Sequence, residues 1–255
     1  MNDGIENKFY LRWGYGYLPA LILVSLIVCS SVVAATYFLS YKSSLIIEKW
    51  NCEGKVGSDE EWNTSYSKLN LAKTINPWNA DIYMSLGDLY EWKLAGKSNL
   101  DDSVKDIRQN AIKYYVEAIN HRPTWAQAWS KLAKSKLLNS EVSSESFHAI
   151  EMGFKYGKWQ PEISKNLIWL SIGFWGVLPE NLKNTVRRQV ESQIKNNVPI
   201  SSFAVLALRF KWFDELLSLD MHPRHKDYLR AAKNNPKLLK NAIRNSFNGK
   251  KDFVC

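Results

Sequence analysis

Cysteine is scarce in this sequence, with three in 255 residues: Cys29, Cys52 and Cys255. No two of them form a C-x-x-C pair, and no His lies at metal-ligand spacing from them, so the common zinc frameworks are excluded. Glycine and proline are sparse, at 12 and 8, which excludes collagen-like and low-complexity chains. Catalytic signatures are also missing. There is no G-x-S-x-G, no H-E-x-x-H, no phosphate-binding loop and no D-x-D pair. Gly14 and Gly16 precede an apolar run and lack phosphate-loop context, and His222 and His225 flank Pro223 without a third ligand. The expectation is a non-catalytic binding protein without metal or cofactor.

Long, charge-free stretches are missing except in one place. Between Arg12 and Lys42 no residue is charged, and the densest part, Leu18 to Leu39, reads LPALILVSLIVCSSVVAATYFL. A spanning helix needs about 20 apolar residues, so residues 18–40 are predicted to cross a membrane once. Tyr15, Tyr17, Tyr37 and Tyr41 stand near its two ends, where an aromatic belt belongs. A cleaved signal peptide has a shorter apolar core, about 7 to 15 residues, and here Tyr37, Phe38 and Leu39 continue past Val33 and Ala35, which could mimic its cleavage site. Flanking charge separates the two orientations poorly. A short cytoplasmic tail over residues 1–17 and an outside domain is the expected arrangement. Residues 41–61, polar and glycine-containing, are expected to link anchor to domain.

Positive charge is confined to one end. Residues 181–255 hold 15 Lys and Arg against 6 Asp and Glu, while residues 1–180 are neutral overall. With an anchor at the other end, anionic lipid or an acidic polysaccharide is a better expected partner for this basic region than nucleic acid. The plain alternative is a solvated basic surface.

Self-similarity is the strongest signal. The tetratricopeptide pattern has a first helix W-x-x-L-G-x-x-Y and a second with A-x-x-x-F, followed by Pro. Tyr83, Leu86, Gly87 and Tyr90 match the first helix at every spacing; Trp129, Leu132 and Ala133 repeat it, and Leu167, Leu170, Ser171 and Phe174 do so loosely. Ala111, Tyr115, Ala118 and Pro123 follow the second-helix pattern, with fainter copies at Leu69, Ala72 and Pro77 and at Ala149, Tyr156 and Pro161. Pro77 to Pro123 and Tyr83 to Trp129 share one interval of 46; Pro123 to Pro161 and Trp129 to Leu167 share another of 38. Landmarks that move together predict repeated helix pairs. The expected fold is all-α: one N-terminal transmembrane helix, a tetratricopeptide-like superhelix of about three helix pairs over 62–180, and basic C-terminal helices over 181–255, where Ser201 to Leu219 reads as one apolar helix.

In such a superhelix the first helices line a concave face. The residues between motif positions then form the candidate groove. The first pair contributes Asp81, Ser85, Asp88 and Glu91, beside Met84 and Trp92. The second contributes Gln127, Lys131 and Lys134. The third contributes Lys165, Trp169 and Trp175, beside Ile168 and Ile172. An acidic strip would meet a basic strip and an aromatic wall, suiting a peptide or a glycan. The competing reading is that Asp88 and Lys134 merely pair with each other on a solvated face. Trp78, Trp125 and Trp159, near the turns, read as packing plugs between pairs. In an oxidising compartment Cys52 and Cys255 would be a possible disulfide, tying the tail beside the membrane; two independent thiols are the alternative.

The anchor followed by INPWNADIYMSLGDLYEWKLAG, then Arg122 to Trp129 (RPTWAQAW) and Gly157 to Glu162 (GKWQPE), resembles the VpsP-like family of membrane-anchored tetratricopeptide proteins associated with bacterial exopolysaccharide biosynthesis. The resemblance covers roughly residues 15–180. Where the family has G-P-W-E-P, Lys158 and Gln160 replace the first Pro and the Glu. The resemblance implies a scaffold in the bacterial inner membrane, its large domain periplasmic, binding protein partners in polysaccharide assembly or export. An envelope chaperone or secretion-linked adaptor is the other expectation for the same architecture.

Overall fold

A computed structural model describes the backbone of residues 3–97 and 102–239, and the side chains of 17–97 and 103–239. The described residues form an all-helical protein: α1 (Asp3–Glu53), α2 (Asp59–Ile75), α3 (Ala80–Lys93), α4 (Asp102–His121), α5 (Ala126–Leu138), α6 (Ser144–Tyr156), α7 (Pro161–Gly173), α8 (Glu180–Lys195), α9 (Ile200–Phe210), α10 (Phe213–Ser218) and α11 (Pro223–Asn234).

From Tyr17 onward α1 is long and apolar enough to cross a membrane. Two of the hydroxyls on this stretch are satisfied within the helix. Ser25 Oγ donates to the Ile22 carbonyl and Ser31 Oγ to that of Ile27, each at 2.8 Å, which removes most of the cost of placing them in lipid. Cys29 is an exposed free thiol on this stretch.

Residues 41–61 are not the expected linker. α1 continues unbroken to Glu53, and the chain turns over 54–58 into α2. Ser43, Ile47 and Trp50, spaced three and four apart, are buried along one face of α1. That face packs into a core with Trp62 and Leu69 of α2 and Ile82, Leu86 and Leu89 of α3. Ser43 Oγ donates to the Ser65 carbonyl at 3.3 Å, and Lys49 pairs with Glu61 at 3.6 Å, so α1 and α2 run antiparallel. The C-terminal part of α1 is therefore the first helix of the helical array.

The array continues as α3 with α4, α5 with α6 and α7 with α8. Caps explain the breaks. Ser58 accepts from the Glu61 N–H, Asn79 from that of Asp81, and Ser143 shares a reciprocal capping box with Ser146. Pro161 opens α7 where its missing N–H costs nothing. The interval of 46 arises because α4 has 20 residues; the shorter second interval reflects α6, with 13.

The repeated landmarks make a repeated contact. Tyr83 donates its hydroxyl to the Pro77 carbonyl at 2.8 Å, and Trp129 donates its indole N–H to the Pro123 carbonyl at 2.7 Å. Each ties the first helix to the turn before it. Leu167, apolar, has no donor for the third copy. Gly87 supplies the close approach of α3 to α4, because a β-carbon there would run into the Tyr115 ring. Gly153 does the same for α6 and α7, where a β-carbon would lie 2.7 Å from Leu167 Cδ1.

The C-terminal end departs from expectation once. Ser201 to Leu219 is two helices, broken at Lys211, whose φ of 56° is left-handed. Its N–H closes α9 on the Ala207 carbonyl. The break lets Trp212, Phe213 and Leu216 turn into the core. Part of the basic charge is used internally here: Arg187 on α8 holds Glu180 at 2.7 Å and Glu215 on α10 at 3.0 Å.

Candidate functional site

Four of the expected groove residues come together. Asp88, Glu91, Lys131 and Lys134 line one cavity of about 240 Å³ with Tyr115, Ser135, Trp92 and Asn51. The parallel alignment of α3 and α5 builds it. One step along both helices carries the Asp88–Lys131 contact to Glu91–Ser135.

The acidic and basic strips cancel each other inside the cavity. Asp88 forms an ion pair with Lys131 and accepts the Tyr115 hydroxyl at 2.8 Å. Glu91 accepts Ser135 Oγ at 2.5 Å and lies 3.8 Å from the buried Arg108 guanidinium. Burial, then the Asp88 and Glu91 carboxylates, pushes the Tyr115 phenol well above its ordinary range, so it stays a donor. The partner of Asp88 is thus Lys131, not Lys134. Lys134 is exposed and makes no ion pair among the described residues.

Lys165 and Trp169 line a second cavity, of about 440 Å³, between α7, α8 and α9. Its wall carries Gln189 and Gln193, and Gln193 Nε2 donates to Ser164 Oγ at 3.0 Å. The side-chain amides, a half-buried indole and Lys158 give a polar rim over an apolar floor of Ile168 and Leu206.

The other expected groove residues lie outside both cavities. Asp81 is exposed at the start of α3, 3.8 Å from Arg122. Ser85 donates back to the Asp81 carbonyl at 2.9 Å, and Gln127 is exposed. Trp175 leaves the groove altogether: it meets Trp212 edge-on at 5.2 Å, with the Arg187 guanidinium 5.2 Å over its ring. Met84 and Ile172 are buried core. The expected bond between Cys52 and Cys255 reaches a residue outside the described residues.

Asn51 and Arg108 were not anticipated. Asn51 belongs to the stretch of α1 read as linker, and only the i, i+3, i+4 spacing of Ile46, Ile47 and Trp50 hinted that this stretch is a helix with a buried face. Arg108 lies in the insertion that lengthens α4. Two of the expected packing plugs are corrected as well. Trp125 is half-buried against the core, whereas Trp78 and Trp159 are 77% and 86% exposed.

No protein-family model and no curated protein matches this chain.

Proposed function

We propose that the protein is a non-catalytic, membrane-anchored adaptor of tetratricopeptide type. It would hold a partner segment in the groove around Lys134, within the assembly or export of an extracellular polysaccharide in the bacterial inner membrane. The observation that carries this reading is the continuity of α1. One helix is both the apolar span and the first wall of the array, and Asn51 near its end lines the cavity. A groove built in this way is held at a fixed orientation to the bilayer, which suits an adaptor for other membrane-bound components.

The cavity's internal charges are already paired, so Lys134 is the charge left to recognise a ligand. Its chemistry suits a carboxylate on a peptide or an acidic sugar. The test is affinity purification of the detergent-solubilised full chain, wild type against Lys134→Glu, with partners identified by mass spectrometry. Polysaccharide polymerisation or export proteins should be enriched with the wild type and lost with the variant. Enrichment of secretion components or unfolded clients instead would turn the reading to an envelope chaperone or secretion-linked adaptor. Equal capture by both proteins would show that this groove is not the binding face.

A further inference from the structure

Trp78 and Trp159 are the most exposed large apolar side chains among the described residues, more exposed than any on the apolar stretch of α1. Both sit in turns that enter the first helix of a pair, Trp78 between α2 and α3 and Trp159 between α6 and α7. Trp125 holds the corresponding place between α4 and α5. Two exposed indoles at equivalent turns of a repeat suit a common environment that is apolar at one end and wet at the other.

The chain direction identifies the side of the array on which they lie. α1 runs outward and α2 returns antiparallel to it. The pairing of Ser43 with Ser65 sets a register which, continued, brings Ile75 level with about Val33, toward the C-terminal end of the apolar run. The turn bearing Trp78 therefore lies on the side from which α1 emerges. The next two turns adjoin it. Asp81 beside that turn pairs with Arg122 beside the next, at 3.8 Å. A β-carbon on Gly157 would lie 3.3 Å from that of Ala126, bringing the third turn against the second. All three form one edge.

The two edges differ in chemistry. The indole edge carries cations on its rings: Arg122 stands 4.7 Å over Trp125 and Lys158 5.2 Å over Trp159. Lys73 and Lys155 add to these in the last turns of α2 and α6, against Asp81 and Glu162. The opposite edge mixes Asp59, Glu60, Glu141 and Glu145 with Lys55, Lys93, Lys97 and Lys105, and has no exposed indole among its described residues. Tryptophan with lysine and arginine is the composition of a membrane–water interface, where the ring lies at headgroup depth and the cation meets lipid phosphate.

We infer that this edge of the array rests on the bilayer surface, with Trp78 and Trp159 inserted among anionic lipid headgroups. The array then lies along the membrane, with the edge that lacks exposed indoles away from it. The inference rests on the reading of α1 as a membrane span, and the test separates the two.

Full-length protein carrying the photo-crosslinker p-benzoylphenylalanine in place of Val28, Trp78, Trp159 or Val142 is placed in nanodiscs of phosphatidylethanolamine and phosphatidylglycerol. After irradiation, lipid adducts are read by mass spectrometry. All four side chains are exposed, so folding is not at stake. Adducts at 28, 78 and 159, and none at 142, are expected. An adduct at 28 with none at 159 overturns the inference while leaving the span intact, even if 78 reacts, because 78 is carried by the pair next to the anchor. No adduct at 28 removes the span, and the inference with it. Equal adducts at 159 and 142 also overturn it, since the two edges would not be distinguished by the bilayer.

Discussion

Gly87 on α3 faces the ring of Tyr115 on α4 with no room for a β-carbon between them. The two residues set the distance at which the second helix pair closes. Tyr115, fully buried, then delivers its hydroxyl to Asp88 on the groove side. A packing contact and a groove contact are thus made by one side chain.

Gly87→Ala should therefore destabilise the protein although alanine is the better helix former. Helix propensity favours alanine by about 1 kcal/mol, whereas forcing a methyl into a filled core costs about 1 to 3 kcal/mol. Steric crowding should prevail because the atoms that a β-carbon would meet belong to the buried Tyr115 ring, not to a flexible chain end. Gly176→Ala, with nothing within 4 Å of its β-position, should change little. Thermal denaturation of both variants checks the contrast.

The repeated tie between first helix and turn makes a second prediction. Tyr83→Phe and Trp129→Phe each remove a donor to a proline carbonyl, and each should cost about 1 kcal/mol. Leu86→Ala, deleting a fully buried side chain, should cost about 2 to 5 kcal/mol. Denaturant unfolding of the three variants gives the comparison. If Tyr83→Phe and Trp129→Phe differ as widely from each other as either does from Leu86→Ala, the two turns are not equivalent.

These ties were legible because they use chemically distinctive residues at fixed spacing: proline, an aromatic donor six residues on, and glycine at a crossing. The pairing of α1 with α2 was less so. Its buried face uses Ser43, Ile47 and Trp50, and the surrounding Lys, Glu and Asn residues mask the period when the stretch is scanned for hydrophobicity alone. The cavity was half legible. Periodicity placed Asp88, Glu91 and Lys131 on one side of their helices, but which acid meets which base depends on the axial offset of α3 and α5, and no local pattern records that offset. Trp78 and Trp159 show the same limit: a tryptophan at a turn fits a buried core plug and an exposed ring equally well until its exposure is known.

The role of α1 in the core predicts where truncation becomes harmful. Removal of residues 1–35 takes away apolar span but leaves Ser43, Ile47 and Trp50 in place, so a folded helical domain should remain. Removal of residues 1–53 uncovers Trp62, Leu69, Leu86 and Leu89 together, and this product should aggregate or unfold at much lower temperature. Circular dichroism and size exclusion of the two products decide it. Equal stability would mean that α1 contributes nothing beyond anchoring.

Alkali should loosen the first two pairs. Tyr90 and Tyr114 adjoin Tyr66 in one aromatic cluster. Burial first, and then Tyr66, pushes the Tyr114 phenol up to about 12, and the same causes raise Tyr90. An unfolded tyrosine ionises near pH 10 (roughly). Below that value both states hold the proton and the stabilisation is fully present. As pH rises through the window up to the folded value, the unfolded chain releases its proton first, so stability falls. Tyr114→Phe should flatten that decline. Urea midpoints below and within the window, read beside tyrosinate absorbance, would show it; an unchanged slope in the variant would assign the alkaline loss elsewhere.

The two groove lysines should respond differently to charge reversal. Lys131 pairs with Asp88, which also accepts the buried Tyr115 hydroxyl. Lys131→Glu would set a second carboxylate beside Asp88, with Glu91 one turn away. Part of the resulting repulsion acts at half-buried positions, where water screens it incompletely. Lys134 is exposed, and its reversal removes no ion pair among the described residues. Lys131→Glu should therefore lower the melting temperature clearly, and Lys134→Glu should leave it nearly unchanged. Asp88→Lys combined with Lys131→Glu, which restores opposite charges at the same two positions, should recover part of the loss, although Tyr115 then faces a cation in place of its acceptor. A partner-binding defect in Lys131→Glu alone would be uninterpretable without that melting curve, whereas the same defect in a fully stable Lys134→Glu reports on recognition. If Lys134→Glu proves as unstable as Lys131→Glu, the exposed lysine is holding the fold and the groove loses its one unpaired charge.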